Sequence, residues 1–172
     1  MSTAGPAQRK DTQLMVNYAP WYAVGNLCIA AWMIFWNNSR LDLSHIFVTI
    51  NSLSQLYYVA ALLPPMEKGN TISMLTHGVA KTFAGIGVLD LMHNGSAGFF
   101  KDEYATPLIK VATGVGFGLA ASVSDWIFGG CLVYDLVALS VGQASRDSGW
   151  SRLLGGYAVG AAAIVGLKNW AR

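Results

Sequence analysis

The chain is predicted to be an all-α, multi-pass transmembrane helical bundle of five or six helices. Three observations carry this: 53% of the 172 residues are hydrophobic, only 12% are charged where soluble domains carry about 25%, and the apolar residues fall in long runs parted by short polar turns. A mean hydropathy of +0.42 excludes intrinsic disorder, which needs low hydrophobicity and high net charge. Eleven basic against nine acidic residues leave no electrostatic footprint for nucleic acid, so the expected partner is the lipid bilayer. At about 20 apolar residues per crossing the chain has no room for a soluble catalytic domain.

Residues 1–17 are expected to form a polar N-terminal tail with Arg9 and Lys10, and residues 18–172 a single transmembrane helical domain. The first helix is predicted over Pro20 to Trp36, because proline suits a first helical turn and Trp21, Tyr22 and Trp36 resemble interface belts. Its apolar run is too long for a signal-peptide core and lacks a cleavage site. Asp42 and Ser44 are placed to cap a second helix from Leu43 to Leu63, stopped by Pro64-Pro65. Asn70 or Thr71 can cap a third helix from Ile72 to about His93, with Asn94-Gly95 as a left-handed C-cap. Lys101, Asp102 and Glu103 then lie in a connecting loop.

Residues 107–143 as one helix would run to about 55 Å, too long for a single crossing of a core near 30 Å. Two helices are expected, Leu108 to Ala121 and Trp126 to Val141, broken at Ser122-Val123-Ser124-Asp125; a kinked long helix partly outside the lipid is the rival. A last helix runs from Ser151 to Trp170. Orientation is not decided by charge: six helices with the N-terminus inside put Arg9, Lys10, Lys68, Lys168 and Arg172 on one side, and Arg40, Lys101, Arg146 and Arg152 on the other. Sequons begin at Asn37 and Asn94, each at a predicted helix end. Cys28 and Cys131 sit in apolar runs, where a thiol packs as a small hydrophobe.

Ionisable groups inside a span are costly and are therefore the first candidates for chemistry. His77 and Lys81 share one face of the third helix and Asp90 and His93 another; nine residues at about 100° each put Lys81 and Asp90 half a turn apart. His77 and Lys81 are read either as a polar rim for an anionic ligand or proton path, or as interfacial groups with Lys81 snorkelling. Asp135, in the middle of an apolar run, either stays protonated or pairs with Lys81 or Lys110. Asn26, and Asn51 with Gln55, read first as interhelical hydrogen-bond groups. Gly114, Gly118 and Ser122, and Gly156, Gly160 and Gly166, have spacings that let helices approach, within the chain, in a homo-oligomer or against a membrane-complex partner. No HExxH, CxxC or nucleophile-elbow motif occurs, and three scattered histidines give no metal site; neither a metal nor a required cofactor is expected.

Trp21 to Trp32, with Asn26, Ala31 and Trp32, followed by Trp36 and Leu41-Asp42-Leu43-Ser44, resembles the Asn-x(4)-Ala-Trp-x(3)-Trp hairpin of the tryptophan-rich sensory protein, or translocator protein (TspO/MBR), family. The likeness covers about 45 residues; the family's Trp-x-Pro-Pro opening is missing and Gln55-Leu56-Tyr57 is a fragment of its later Gln-Leu motif. It implies a bundle of about five helices with an aromatic-lined cavity for tetrapyrroles or sterol-like molecules, and Trp32 and Trp36 as matching aromatics. The expected function is thus binding or moving a small apolar ligand, a tetrapyrrole among the candidates, with Trp32, Trp36, Asn26, His77, Lys81 and Asp135 as ligand-binding residues. The alternatives are an accessory subunit of a membrane complex, or an intramembrane enzyme on a lipid-like substrate with Asp135 as acid/base beside His77 or Asp90.

Overall fold

The computed structural model describes residues 5–101 and 103–171. The start of the expected tail, Asp102 and Arg172 lie outside the described residues. Among the described residues the chain forms six helices and no strand: α1 (Pro6–Asn37), α2 (Leu41–Tyr57) running on into a π-helical turn (Tyr58–Leu62), α3 (Thr71–Phe99), α4 (Pro107–Val123), α5 (Trp126–Gln143) and α6 (Ser148–Trp170). Four of them, over Arg9–Asn37, Thr71–Phe99, Trp126–Gln143 and Ser148–Trp170, are long and apolar enough to cross a membrane. Their surfaces invert the soluble pattern. Leu27, Leu108, Val123, Val141, Val159 and Leu167 are each more than 70% exposed, while Asn51, Ser52, Gln55, His77, Asn94 and Asp135 are buried. The chain divides into two compact units, one ending at Gly87 and one beginning at Val88.

In the first unit, α1 begins 14 residues earlier than expected, and Pro20 lies inside it. Residues 7–19 contain no glycine and are rich in good helix formers, so the helix continues through Pro20 despite the donor that the proline withholds from the Val16 carbonyl. Tertiary contacts hold this extension: Lys10 pairs with Glu67, and Asn70 Nδ2 donates to Asp11 Oδ1 at 2.7 Å. Asp42 and Ser44 do not cap α2 but sit in its first turn, where Asp42 pairs with Arg40 at 3.3 Å and the Ser44 hydroxyl donates to the Leu41 carbonyl. Asn70 does cap α3, its Oδ1 accepting from the Ser73 N–H at 3.0 Å. The turn between α1 and α2 holds Ser39 at φ 57° and the loop before α3 holds Gly69 at φ 91°.

In the second unit, α3 does not end at Asn94-Gly95. Asn94 is buried and Nδ2 donates to the Asp90 carbonyl one turn back, so the helix runs on to Phe99 and the Asn94 sequon is closed off in the packed interior. Residues 107–143 do divide into two helices, α4 and α5. Thr106 caps the first, and the Asp125 carboxylate, accepting from the Phe128 N–H at 3.0 Å, starts the second. Asp147 caps α6 in the same way, accepting from the Trp150 N–H at 2.9 Å, so that the helix begins at Ser148, three residues before the expected Ser151. The core comprises Phe117 and Ala121 of α4, Leu132 and Leu136 of α5, and Trp150, Leu154, Ala158, Ala161 and Val165 of α6, with Val88 and Met92 of α3 packed against it. Ser140 and Ser151 donate to one another's carbonyls at 2.8 Å, closing the α5–α6 hairpin.

In this unit Gly114 and Gly129 stand at close approaches between helices. A Cβ on Gly114 would stand 2.6 Å from Tyr157 Cζ, and one on Gly129 would stand 2.7 Å from both Val165 methyls and from Ser124 Oγ; Gly118, Gly130, Gly156 and Gly160 face open space. Gly129→Ala is therefore expected to lower stability in detergent by about 1–3 kcal/mol through overpacking, whereas Gly130→Ala is expected to be neutral or to raise it by up to about 1 kcal/mol through helix propensity. Thermal unfolding of the neighbouring pair checks this.

Asp147 supplies a pH dependence. The Trp150 N–H, and then the Lys110 ammonium 3.7 Å away, hold its carboxyl below the usual carboxylate range. A depressed folded-state value stabilises above the unfolded carboxyl pKa, about 3.9, and that contribution disappears as pH falls through the lower folded value. The melting temperature should fall below about pH 4 in the wild type. That part of the fall should be absent in Asp147→Asn, while Asp147→Ala should be destabilised at neutral pH as well.

Candidate functional site

The candidate site lies in the first unit and begins with spacing. Tyr18, Trp21, Tyr22 and Gly25 recur at three- and four-residue intervals along α1, as do Asn51, Gln55 and Tyr58 along α2 and its π turn, so each set shares one face. Gly25 sets the distance between the helices. A Cβ there would lie 2.6 Å from Phe83 Cε1 of α3 and 2.8 Å from both Asn51 Oδ1 and Gln55 Nε2. Only a hydrogen at this position lets the two α2 amides reach α1.

Gln55 is completely buried and joins the helices with both ends of its amide. Its Nε2 donates to the Trp21 carbonyl at 2.7 Å, and its Oε1 accepts from the Tyr18 hydroxyl at 3.3 Å. Rings surround it: Tyr18 and Tyr58 have centroids 4.9 Å apart, Trp21 stands 5.8 Å from both Tyr57 and Tyr58, and Tyr22 stands 5.8 Å from Phe83. Ala80 of α3 packs against the Tyr18–Tyr58 pair, and the Ser52 hydroxyl donates to the Gly87 carbonyl at 2.7 Å.

Two polar atoms in this cluster are left over. The Tyr58 hydroxyl and Asn51 Oδ1 are buried, on residues only 2% exposed, and neither has a hydrogen-bond partner among the described residues. Tyr58 also opens the π-helical turn, a local departure from helix geometry that recurs at functional sites. Buried polar atoms left over among packed aromatic rings make this cluster the candidate site.

None of the six residues expected from the sequence to bind the ligand belongs to this cluster. Trp32 and Trp36 pair with each other at 5.8 Å, and Trp32 is about 21 Å along α1 from Tyr18 at 1.5 Å per residue. Asn26 is exposed and donates to the Tyr22 carbonyl of its own helix at 2.8 Å. His77 is buried and Lys81 half-buried, on either side of Ala80 in α3. Asp135 belongs to the second unit, and Lys110 pairs there with Asp147 instead of Asp135. Of the candidate-site aromatics, Trp21 was read from the sequence as part of an interface belt, and Tyr18 and Tyr58 were not singled out. The signal was the four-residue spacing of Asn51 and Gln55, which only an amide-sized gap in the facing helix, at Gly25, makes useful.

Among the described residues no three His, Cys, Asp or Glu side chains come together as a metal site. No protein-family model, curated protein or solved structure matches the chain.

Gln55→Leu would remove both of the amide's hydrogen bonds and leave the Tyr18 hydroxyl buried without its partner. The expected cost is about 1–3 kcal/mol, read as a lowered melting temperature with secondary structure retained below it.

Proposed function

We propose that this chain is an integral, multi-pass membrane protein that binds a small, largely apolar ligand carrying at least one polar group, at the Tyr18–Trp21–Asn51–Gln55–Tyr58 cluster. The observation that carries this is the pair of buried, unpartnered polar atoms, Tyr58 Oη and Asn51 Oδ1, within an aromatic shell. Such groups cost stability when left alone, and a ligand group that meets them recovers that cost on binding. The hydroxyl is a donor and the amide oxygen an acceptor, so the complementary ligand presents both kinds of partner or a hydroxyl or carboxyl that acts as both. Apolar helix faces and four helices of spanning length support the membrane setting. Tetrapyrroles and sterols, which combine a rigid apolar body with few polar groups, are the ligand classes to test.

The test sets stability against affinity. Tyr58→Phe removes an unsatisfied hydroxyl while keeping the ring, so the ligand-free protein should melt at the same temperature or higher. Affinity should fall about 3- to 10-fold, the equivalent of one neutral hydrogen bond. Both are read on detergent-solubilised protein, the second from the midpoint of intrinsic tryptophan fluorescence quenching by protoporphyrin, haem and a sterol. Trp32→Phe and Trp36→Phe should leave the midpoint unchanged. A midpoint that moves in those variants and not in Tyr58→Phe would put the site at the outer tryptophan pair instead.

A further inference from the structure

The second unit holds an ionisable group that the ligand site does not use. Asp135 stands in α5 beside Leu136, with Leu132 one turn away, all three at most 1% exposed, and neither of its carboxyl oxygens has a hydrogen-bond partner. Its neighbours Leu132 and Leu136 share one core cluster with residues of α4 and α6, and the cations of those two helices are held by other groups. From α6 come Leu154, Ala158 and Ala161; the Lys168 ammonium is held on the Ser124 carbonyl at 2.6 Å, the Tyr157 hydroxyl donates to the Lys110 carbonyl, and the exposed Arg152 donates to its own helix. From α4 come Phe117 and Ala121, while Lys110 is taken by Asp147 and lies 5.8 Å from the centre of the Trp150 ring. On α5 itself, Asp125 caps the helix start, Cys131 is partly buried and Tyr134 is exposed. From α3 come Val88, Met92 and a second carboxyl, the half-buried Asp90, which acts electrostatically on Asp135 and is itself acted on by the exposed His93.

A bare carboxylate with neither cation nor donor is strongly disfavoured in such surroundings, and a carboxyl there escapes the cost by taking up a proton. A buried polar group without a partner also needs an explanation beyond packing, since a leucine would fill the same space without loss. We propose that Asp135 is an intramembrane proton-binding site. Its carboxyl is the neutral acid while α5 is packed into this core, and its O–H bond breaks, passing the proton to water, when that packing opens. Proton release and loosening of the packing around this part of α5 are then the same equilibrium seen from two sides.

Infrared spectroscopy of the reconstituted, ligand-free full chain, with carboxyl-¹³C aspartate, tests this separately from the ligand site. The wild type should show the carbonyl stretch of a protonated carboxyl at neutral pH. The band should be missing from Asp135→Asn and restored, at a shifted frequency, by Asp135→Glu, with the helical circular dichroism of each variant retained. Raising the pH should abolish it reversibly before the helices melt. Asp90→Asn should keep the band and change the pH at which it is lost. Identical wild-type and Asp135→Asn spectra at neutral pH would overturn the proposal by showing Asp135 ionised. A band that persists until the helices melt would overturn it too, because the proton would then be locked in rather than exchangeable.

Discussion

Several helix pairs in this chain are tied by a buried side-chain donor that reaches a backbone carbonyl of the neighbouring helix or its end. Gln55 reaches Trp21, Ser52 reaches Gly87, Ser140 and Ser151 reach each other, Tyr157 reaches Lys110, and Lys168 reaches Ser124. In apolar surroundings no solvent competes for these groups, so each bond fixes both the distance and the rotation of a helix pair. Glycine placement follows from the same constraint. Gly25, beside the Asn51 and Gln55 amides, and Gly129, beside Ser124, stand where a polar side chain must come close to the next helix. Gly118, Gly156 and Gly160, which share the small-residue spacing but face no such bond, are left with open space.

The exceptions to this satisfaction are informative because they are few and local. Asn51 and Tyr58 lie on the same face of α2 as the fully engaged Gln55, one turn before and one after it. Packing cannot be the whole reason for them, since phenylalanine would give Tyr18 and Trp21 the same ring contacts without the stranded hydroxyl. Asp135 is the stronger case: charge makes an unpartnered carboxylate far more expensive than an unpartnered hydroxyl.

How far the sequence discloses this arrangement depends on whether a residue's role is local. The break between α4 and α5 was legible because Asp125 caps the chain three residues ahead, a contact within one turn. Asn70 before α3 was legible for the same reason. The ends of α1 and α3 were not. Pro20 and Asn94-Gly95 are local stop signals overridden by distant partners, Glu67 and Asn70 in one case and burial of Asn94 in the other. The all-helical class was legible from composition, since charge deficit and long apolar runs need no tertiary information. The candidate site was legible only in part: Asn51 and Gln55 share a face by spacing alone, but nothing within α2 says that Gly25 lies opposite.

Aromatic count was the weaker guide of the two. Trp32 and Trp36 draw the eye as a tryptophan pair, yet they touch each other on a partly exposed face where lipid can solvate them at no cost. Tyr58 is less conspicuous, one of two adjacent tyrosines ahead of Pro64-Pro65, but the structure buries its hydroxyl where nothing answers it. When a protein's outside is apolar, burying an apolar ring costs and gains little, whereas burying a polar atom has a large free-energy consequence. The residues most informative in such a fold are therefore the polar ones on buried faces, because their hydrogen-bond partners show which of them hold the helices together.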